Sequence, residues 1–381
     1  MQQTLNFDID DFLKNYWQCK PLLIRQAIDP DLLQISQEEL FDFAAQEWVE
    51  SRIVSSQDQQ DWTLHRGPFE PDDYERLATK DWTLLVQAVD QFIPEANQLK
   101  KMFDFVPSWR LDDIMVSLAK TGAGVGPHFD QYDVFLIQGC GQRRWQIGPV
   151  GDSNSALLEN CELSILKNMQ VDHQWDLSPG DILYLPPGIT HNGTALTDDC
   201  MTISVGFRAP AHSEILDDYF GRLSARIDQS LRYTDPAIQM QKNPHAVTVD
   251  AVSKLKTIVG QYANNETLLS QWLGEFMTEP KYPEHFPEQP TPSWEVMQDI
   301  INTATCFQLH PGARAAVDDK YLFINGESWA RQELNSELID FVLNHTIAEA
   351  SQFNKWLEND AGRQLAIDLI SRNCLLYEES Q

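Results

Sequence analysis

Five short β-type runs, Ile114–Leu118, Tyr132–Gln138, Arg143–Gly148, Ile182–Leu185 and Met201–Phe207, follow one another between residues 111 and 209. Turns of Gly, Pro and Asp separate them, and no helical pattern intervenes. Parallel strands need a crossover of a dozen or more residues, usually a helix, so strands joined in this way pair antiparallel. The segment therefore reads as an antiparallel sandwich or barrel, and a doubly wound nucleotide-binding sheet is disfavoured. The glycine cluster Gly122-Ala123-Gly124-Val125-Gly126 fits the same picture. A phosphate-cradling loop has to open a helix, whereas here Pro127, His128 and Asp130 lead into a strand.

On either side the texture changes. Before the β-rich stretch, Asp10–Tyr16 reads as a helix and Pro21–Arg25 as a short strand. Ser36 reads as the N-cap of a helix running to about Trp48, with Glu38 and Glu39 in its first turn. After it, apolar spacing predicts helices over 213–232, 247–259 and 266–277. The five prolines between Glu279 and Pro292 mark a linker. Beyond it come a helix (Glu295–Thr303), a hairpin pattern (Phe307–Ala316 with Tyr321–Ile324), and helices at Glu333–Leu343 and Ile347–Leu357. The expected units are a β-rich body over 1–209, a helical segment over 210–278, a proline-rich linker over 279–292 and a small α+β module over 293–381. A chain of 381 residues that is 42% hydrophobic, with 11 Trp and 18 Phe, can build cores for all of them and is not disordered.

His128 and Asp130 carry the first chemical signal. Two residues apart on an extended chain, their side chains share a face, where an imidazole and a carboxylate can meet one metal. His191 supplies a third ligand, presented just after the strand that runs from the Pro179-Gly180 turn to the Pro186-Pro187-Gly188 turn. Two histidines and one carboxylate form the facial set that leaves positions open on Fe(II) for a cosubstrate and dioxygen. In Arg143-Arg144-Trp145-Gln146-Ile147, alternation places Arg143 on the apolar, inward face with Trp145 and Ile147. An inward guanidinium needs a carboxylate or phosphate to fork onto, either from a core ion pair or from a bound dicarboxylate. On Thr202-Ile203-Ser204-Val205-Gly206-Phe207, the small face of Thr, Ser and Gly either lines a cavity or accommodates packing. No nucleophile elbow and no paired cysteine signature is present.

These residues resemble a known family. The cupin motifs are partly present: Gly122, five residues, then His128; and Gly180, five residues, then Pro186, Gly188 and His191. Asp130 replaces the second histidine of the first cupin motif and its glutamate is absent, which favours an Fe(II)/2-oxoglutarate oxygenase. With Tyr16-Trp17-Gln18-Cys19-Lys20-Pro21-Leu22-Leu23-Ile24-Arg25, Gly126-Pro127-His128-Phe129-Asp130-Gln131-Tyr132-Asp133-Val134-Phe135 and Gly141-Gln142-Arg143-Arg144-Trp145, the chain resembles JmjC-type bacterial ribosomal oxygenases over nearly its whole length. The resemblance implies an α+β protein: a double-stranded β-helix (JmjC/cupin jelly roll), a helical dimerisation segment giving a homodimer, and a C-terminal winged-helix-like module. It implies hydroxylation of an arginine side chain of large-subunit ribosomal protein sixteen. Sister enzymes acting on another residue, by histidine hydroxylation or demethylation, are the alternative, with a non-catalytic metal-binding cupin or a DNA-binding regulator behind them. Iron ligation falls to His128, Asp130 and His191, and the distal carboxylate of 2-oxoglutarate to Arg143. Ser117, Tyr132, Asn192 and Ser204 are further pocket residues on this reading.

Charge narrows the partners. With 28 Lys+Arg against 57 Asp+Glu, the net charge is −29. Binding a phosphate backbone or an anionic membrane surface requires cations that this chain lacks, whereas a basic protein would be drawn to it. The expected recognition helices of the C-terminal module carry Glu333, Glu337, Asp340 and Glu349 against Lys355 alone, so the module reads as protein-binding or structural rather than DNA-binding. Six dispersed cysteines, no basic and apolar leader at Met1–Asp8 and no long apolar run indicate a reduced, cytoplasmic protein, so the sequon Asn192-Gly193-Thr194 is not read as glycosylated.

Overall fold

The computed structural model describes residues 5–57, 59–77, 79–159, 161–236 and 238–379. Residues 1–4 of the expected leaderless N-terminus lie outside them. The strands of the N-terminal body are β1 (Leu22–Ile24), β2 (Ser51–Gln57), β3 (Gln60–Arg66), β4 (Asp81–Val86), β5 (Leu111–Ala119), β6 (Val134–Cys140), β7 (Arg143–Val150), β8 (His173–Leu177), β9 (Ile182–Leu185), β10 (Ile189–Ala195) and β11 (Cys200–Phe207). They form two layers, a large sheet in the order β1-β9-β6-β11-β5-β4-β2-β3 and a small one in the order β10-β7-β8. Every pairing is antiparallel. Among the described residues no helix interrupts β5 to β11, and the two layers make the double-stranded β-helix.

Period-two alternation decides what each face of the large sheet does. Phe135 and Ile137 of β6, Ile182 and Tyr184 of β9, and Met201, Ile203, Val205 and Phe207 of β11 join the main core. That core is covered by α1 (Ile9–Asn15), α2 (Gln37–Ala44) and, after α3 (Pro71–Arg76), the segment around α4 (Pro94–Lys100), through Phe12, Leu40 and Phe103. The opposite residues Val134, Leu136, Leu183 and Leu185 pack against Trp145 and Ile147 of the small sheet. Thr202, Ser204 and Gly206 of β11 face the same way but are too small to fill the gap, and a cavity opens there.

One polar cluster sits in the main core. Asp133 and Tyr184 are both 0% exposed; the Tyr184 hydroxyl donates to Asp133 at 2.6 Å and accepts from the Gln18 N–H at 2.7 Å. The Gln18 amide also donates to Asp133 at 2.9 Å, and Arg110 stands 3.6 Å away. The cluster ties the turn after α1 to the chain just beyond Asp130.

Several boundaries move for tertiary reasons. The helix capped by Ser36 has the expected capping box with Glu39 but stops at Ala44. The helix expected over 213–232 is α5 (His212–Arg226), ending where Asp228 accepts from the Ser230 N–H in a turn. Two further helices follow, α6 (Val249–Ala263) and α7 (Glu266–Thr278). In the C-terminal module lie α8 (Trp294–Thr303), β12 (Ala304–Leu309), β13 (Ala315–Val317), β14 (Tyr321–Ile324), β15 (Glu327–Ala330), α9 (Ser336–Asn344), β16 (Ile347–Glu349), α10 (Ala350–Trp356), α11 (Asp360–Ser371) and β17 (Leu375–Glu379). The expected hairpin is β13 with β14, while β12 pairs with β16 and β17. Ile347, expected in a helix, pairs with Gln308 as a strand residue, so the helix begins only at Ala350. The proline-rich stretch is fastened rather than loose. Lys281 bonds Asp112 and Asp113, Tyr282 bonds Glu50, and His285 bonds Gln91 and the Trp48 carbonyl. No helix among the described residues is long and apolar enough to cross a membrane.

Tyr184→Phe leaves the buried Asp133 carboxylate short of one donor and should cost about 1–3 kcal/mol. Denaturant unfolding checks this, and an unchanged midpoint would remove the cluster from the stability of the body.

Candidate metal centre

His128 and His191 face each other across an isolated antiparallel bridge. Each donates its backbone N–H to the other's carbonyl, at 3.0 and 2.8 Å. Such a doubly bonded pair holds both side chains on one face. The ring centroids are 4.2 Å apart. Asp130 lies beyond the bridge in a loop rather than on the expected strand, yet its Oδ2 reaches 4.0 Å from His128 Nε2 and 3.7 Å from His191 Nε2. One ligand atom from each of the three residues lies within 4.8 Å of the others. His191 is itself inside β10, not after a strand as the sequence suggested.

Two glycines create this presentation. Gly126 and Gly188, with φ of +83° and +84°, turn the chain just before His128 and His191 in a region side chains avoid. The Gly188 N–H donates to the Asp130 carbonyl at 2.7 Å, so the turn that delivers His191 also fixes the carboxylate segment.

The tautomers follow from the partners. His128 Nδ1 and His191 Nδ1 each lie 2.9 Å from a backbone carbonyl, of Gly126 and Ile189 respectively. A carbonyl only accepts, so both Nδ1 atoms carry the proton and both Nε2 atoms offer a lone pair. Burial, and then the neighbouring His128, push His191 down to about 4, which keeps the imidazole neutral as a metal ligand requires. Two imidazole nitrogens and a carboxylate oxygen suit Fe(II), which the donor set fits without rearrangement of type.

The three residues open into a cavity of about 1220 Å³ between the layers. Ser117, Tyr132, Arg143 and Ser204 line it, together with Thr202 and Gly206. Asn192 does not line it: on β10 it alternates away from His191 and pairs in register with Gln146 on the outer face. Arg143 is 2% exposed, stacked over Trp145, and its Nε and Nη2 find no partner among the described residues. An unpaired buried ion costs several kcal/mol, and no core ion pair among the described residues offsets that cost at Arg143.

Other lining residues were not singled out from sequence: Glu50, Arg52, Asp112, Asp113, Arg208 and Lys281. Asp113 is 5% exposed, and accepts from Gln87 at 2.8 Å and Lys281 at 3.0 Å. Burial pushes Asp113 up; in Asp112 burial is outweighed by Lys281, Arg314 and Arg208, which hold it down. Only the doublet Asp112-Asp113 at a strand start hinted at them.

The chain matches the JmjC domain family over residues 98–215 and the ROXA-like winged helix over residues 261–375. It is 35% identical to the ribosomal protein uL16 3-hydroxylase of Escherichia coli, over 99% of this chain and 100% of that protein. The crystal structure of E. coli YcfD superposes with a TM-score of 0.87 at 31% identity, covering 99% of this chain and 100% of that one. YcfD, a ribosomal oxygenase, in complex with cobalt and 2-oxoglutarate, superposes at 0.84 and 31% identity, covering 99% of each chain. The matched winged helix takes in α7, which packs on β14 so closely that a Cβ on Gly274 would meet the Phe323 ring at 2.4 Å.

His191→Ala should weaken Co(II) binding by more than roughly the ten- to hundredfold typical of losing an outer-shell partner. Titration followed by Co(II) absorption measures this, and wild-type affinity in the variant would exclude His191 as a ligand.

Proposed function

The chain belongs to the JmjC ribosomal oxygenases, and from that premise we propose that it is an Fe(II)- and 2-oxoglutarate-dependent hydroxylase of an arginine side chain in ribosomal protein uL16. The observation that carries the reading is the pairing of a His-Asp-His donor set with an orphaned, buried guanidinium in one cavity. His128, Asp130 and His191 hold the iron, and Arg143 takes the distal carboxylate of 2-oxoglutarate. When bound, iron with 2-oxoglutarate and dioxygen supplies an oxidation that inserts one oxygen atom into a substrate C–H bond and releases succinate and CO2.

The protein's own part is binding, orientation and exclusion of water. Arg143 fixes one end of the dicarboxylate by charge-assisted hydrogen bonds. Ser117, Thr202 and Ser204 keep that end of the cavity small and polar, and Trp145 closes the wall between Arg143 and His191, with its ring centroid 5.8 Å from that of His191. A cationic substrate side chain suits the remaining lining, which holds seven carboxylates, Asp130 included, against the three cations Arg52, Arg208 and Lys281. No nucleic acid is needed as a partner. α9 carries Glu337 and Asp340 and no basic residue.

The active form is a homodimer in this reading. α6 has no buried residue, and Val252, Leu255, Ile258 and Val259 stand exposed along it. Such a continuous apolar stripe on a charged chain is suited to a second copy. Val259→Glu should give a monomer in light scattering after size exclusion; a monomeric wild type would remove the dimer.

Two measurements test the activity. Intact-mass comparison of ribosomal proteins from cells with and without the gene should show one added oxygen on uL16, and fragmentation should place it on arginine. A different modified residue would overturn the arginine assignment, and no mass difference the substrate. Arg143→Met should raise the 2-oxoglutarate KM by roughly ten- to hundredfold, the equivalent of about 1.5–3 kcal/mol for bonds to a charged group.

A further inference from the structure

The strand β5 is irregular where it meets the cavity. Val205 pairs with Ile114 and Phe207 with Leu111, so Asp112 and Asp113 together stand opposite the single residue Gly206. This is a β-bulge, a device that re-aims a side chain and leaves backbone groups out of the ladder. Asp113 keeps the cavity face that it shares with Met115 and Ser117, and the bulge brings Asp112 to the same lining. The carbonyls freed at the bulge would be costly if left bare in the interior.

Their partner comes from the C-terminal module. Arg314 Nη2 donates to the Leu111 carbonyl at 2.5 Å, and Arg314 Nη1 donates to the Asp112 carbonyl at 2.8 Å and approaches Asp112 Oδ1 at 3.5 Å. The backbone of Arg314 is itself clamped. Its N–H donates to Asn325 Oδ1 at 2.8 Å and its carbonyl accepts from the Asn325 N–H at 3.0 Å. Two residues earlier, Gly312 lies against Gln91 of the catalytic body so tightly that a Cβ there would meet Gln91 Oε1 at 2.5 Å. Asp112 also receives Lys281 of the proline-rich strap at 2.8 Å and Arg208 at 4.0 Å. Three segments thus converge on one bulge.

We propose that Arg314 is a positioning residue for substrate recognition: the C-terminal module reaches into the catalytic body to hold the Asp112-Asp113 bulge, and thereby keeps the two neighbouring carboxylates presented to the cationic side chain of the substrate. The proposal rests on the basic-substrate reading above. It gives the module a role in the site that needs no nucleic acid. Arg314 does not touch the metal ligands or Arg143, so its effect falls on the substrate and not on the cosubstrate.

The test uses the full chain and a uL16 peptide spanning the modified residue, with binding followed by fluorescence anisotropy. Arg314→Met should weaken peptide binding by roughly ten- to hundredfold, from the loss of charge-assisted bonds, and leave the 2-oxoglutarate KM within twofold of wild type. Arg314→Lys, which keeps one donor to the bulge, should recover part of the loss. Backbone hydrogen exchange should quicken at Asp113 and Ile114 in Arg314→Met while β7 and β10 stay protected. Unchanged peptide affinity in Arg314→Met overturns the proposal, as does an equal loss for peptide and cosubstrate. If the wild type does not bind the peptide, the basic-substrate reading falls instead, and hydrogen exchange then decides whether Arg314 holds the bulge.

Discussion

The site depends on one pair of backbone hydrogen bonds, those that His128 and His191 exchange. They do three things at once. They close the jelly roll between the loop after β5 and the strand β10, they place two imidazoles on the same face, and they leave both Nδ1 atoms aimed at nearby carbonyls. A metal could not organise this set from a flexible loop without meeting the ordering entropy of each ligand. Here the ladder and the two left-handed glycines meet it during folding. The Gly188 N–H on the Asp130 carbonyl extends the arrangement to the third ligand.

Electrostatics then divide the cavity into two ends. At one end Arg143 stands as a lone cation in an apolar and weakly polar wall, where an incoming carboxylate gains most because little water competes. At the other end carboxylates predominate, and the resident cations Lys281, Arg314 and Arg208 partly neutralise Asp112 without pairing off the whole set. Opposite polarities at the two ends give a dicarboxylate and a cationic side chain separate places around one metal. Side-chain alternation on β7 puts Arg143 inward at one end, and alternation on β5 puts Asp113 inward at the other.

The sequence made the chemistry legible where it depends on spacing, and lost it where it depends on irregularity. The clustering of His128, Asp130 and His191 was legible from their turn signals, although Asp130 sits in a loop, and the antiparallel body follows from strands without helices between them. Asn192 falls outside the cavity lining because its neighbour His191 is inward, and alternation on β10 then sends it outward. Asp113 shares the cavity face of β5 with Met115 and Ser117 and was within reach of alternation, whereas Asp112 lies at a bulge that breaks it. The helix expected from Ile347 failed because the edge of β12 offered a strand partner, an effect that local propensity does not contain. The proline-rich stretch looked like a linker because prolines dominate it, whereas its fastening lies in the residues between them, Lys281, Tyr282 and His285.

The charge of −29 acts at a different range from the site. Exposed charges are screened within about 8 Å at physiological salt, so a surplus spread over the surface speeds the encounter with any basic chain and distinguishes poorly among them. Discrimination has to occur where water is excluded and a cation must find a partner or pay for its desolvation. Within the cavity that place is the bulged pair Asp112-Asp113, whose geometry is held partly from outside the jelly roll. A cation drawn in by the surface field but unable to reach Asp113 would lose its hydration without compensation. Selectivity on the proposed reading therefore belongs to the bulge and the segments that brace it, and the net charge sets only how often candidates arrive.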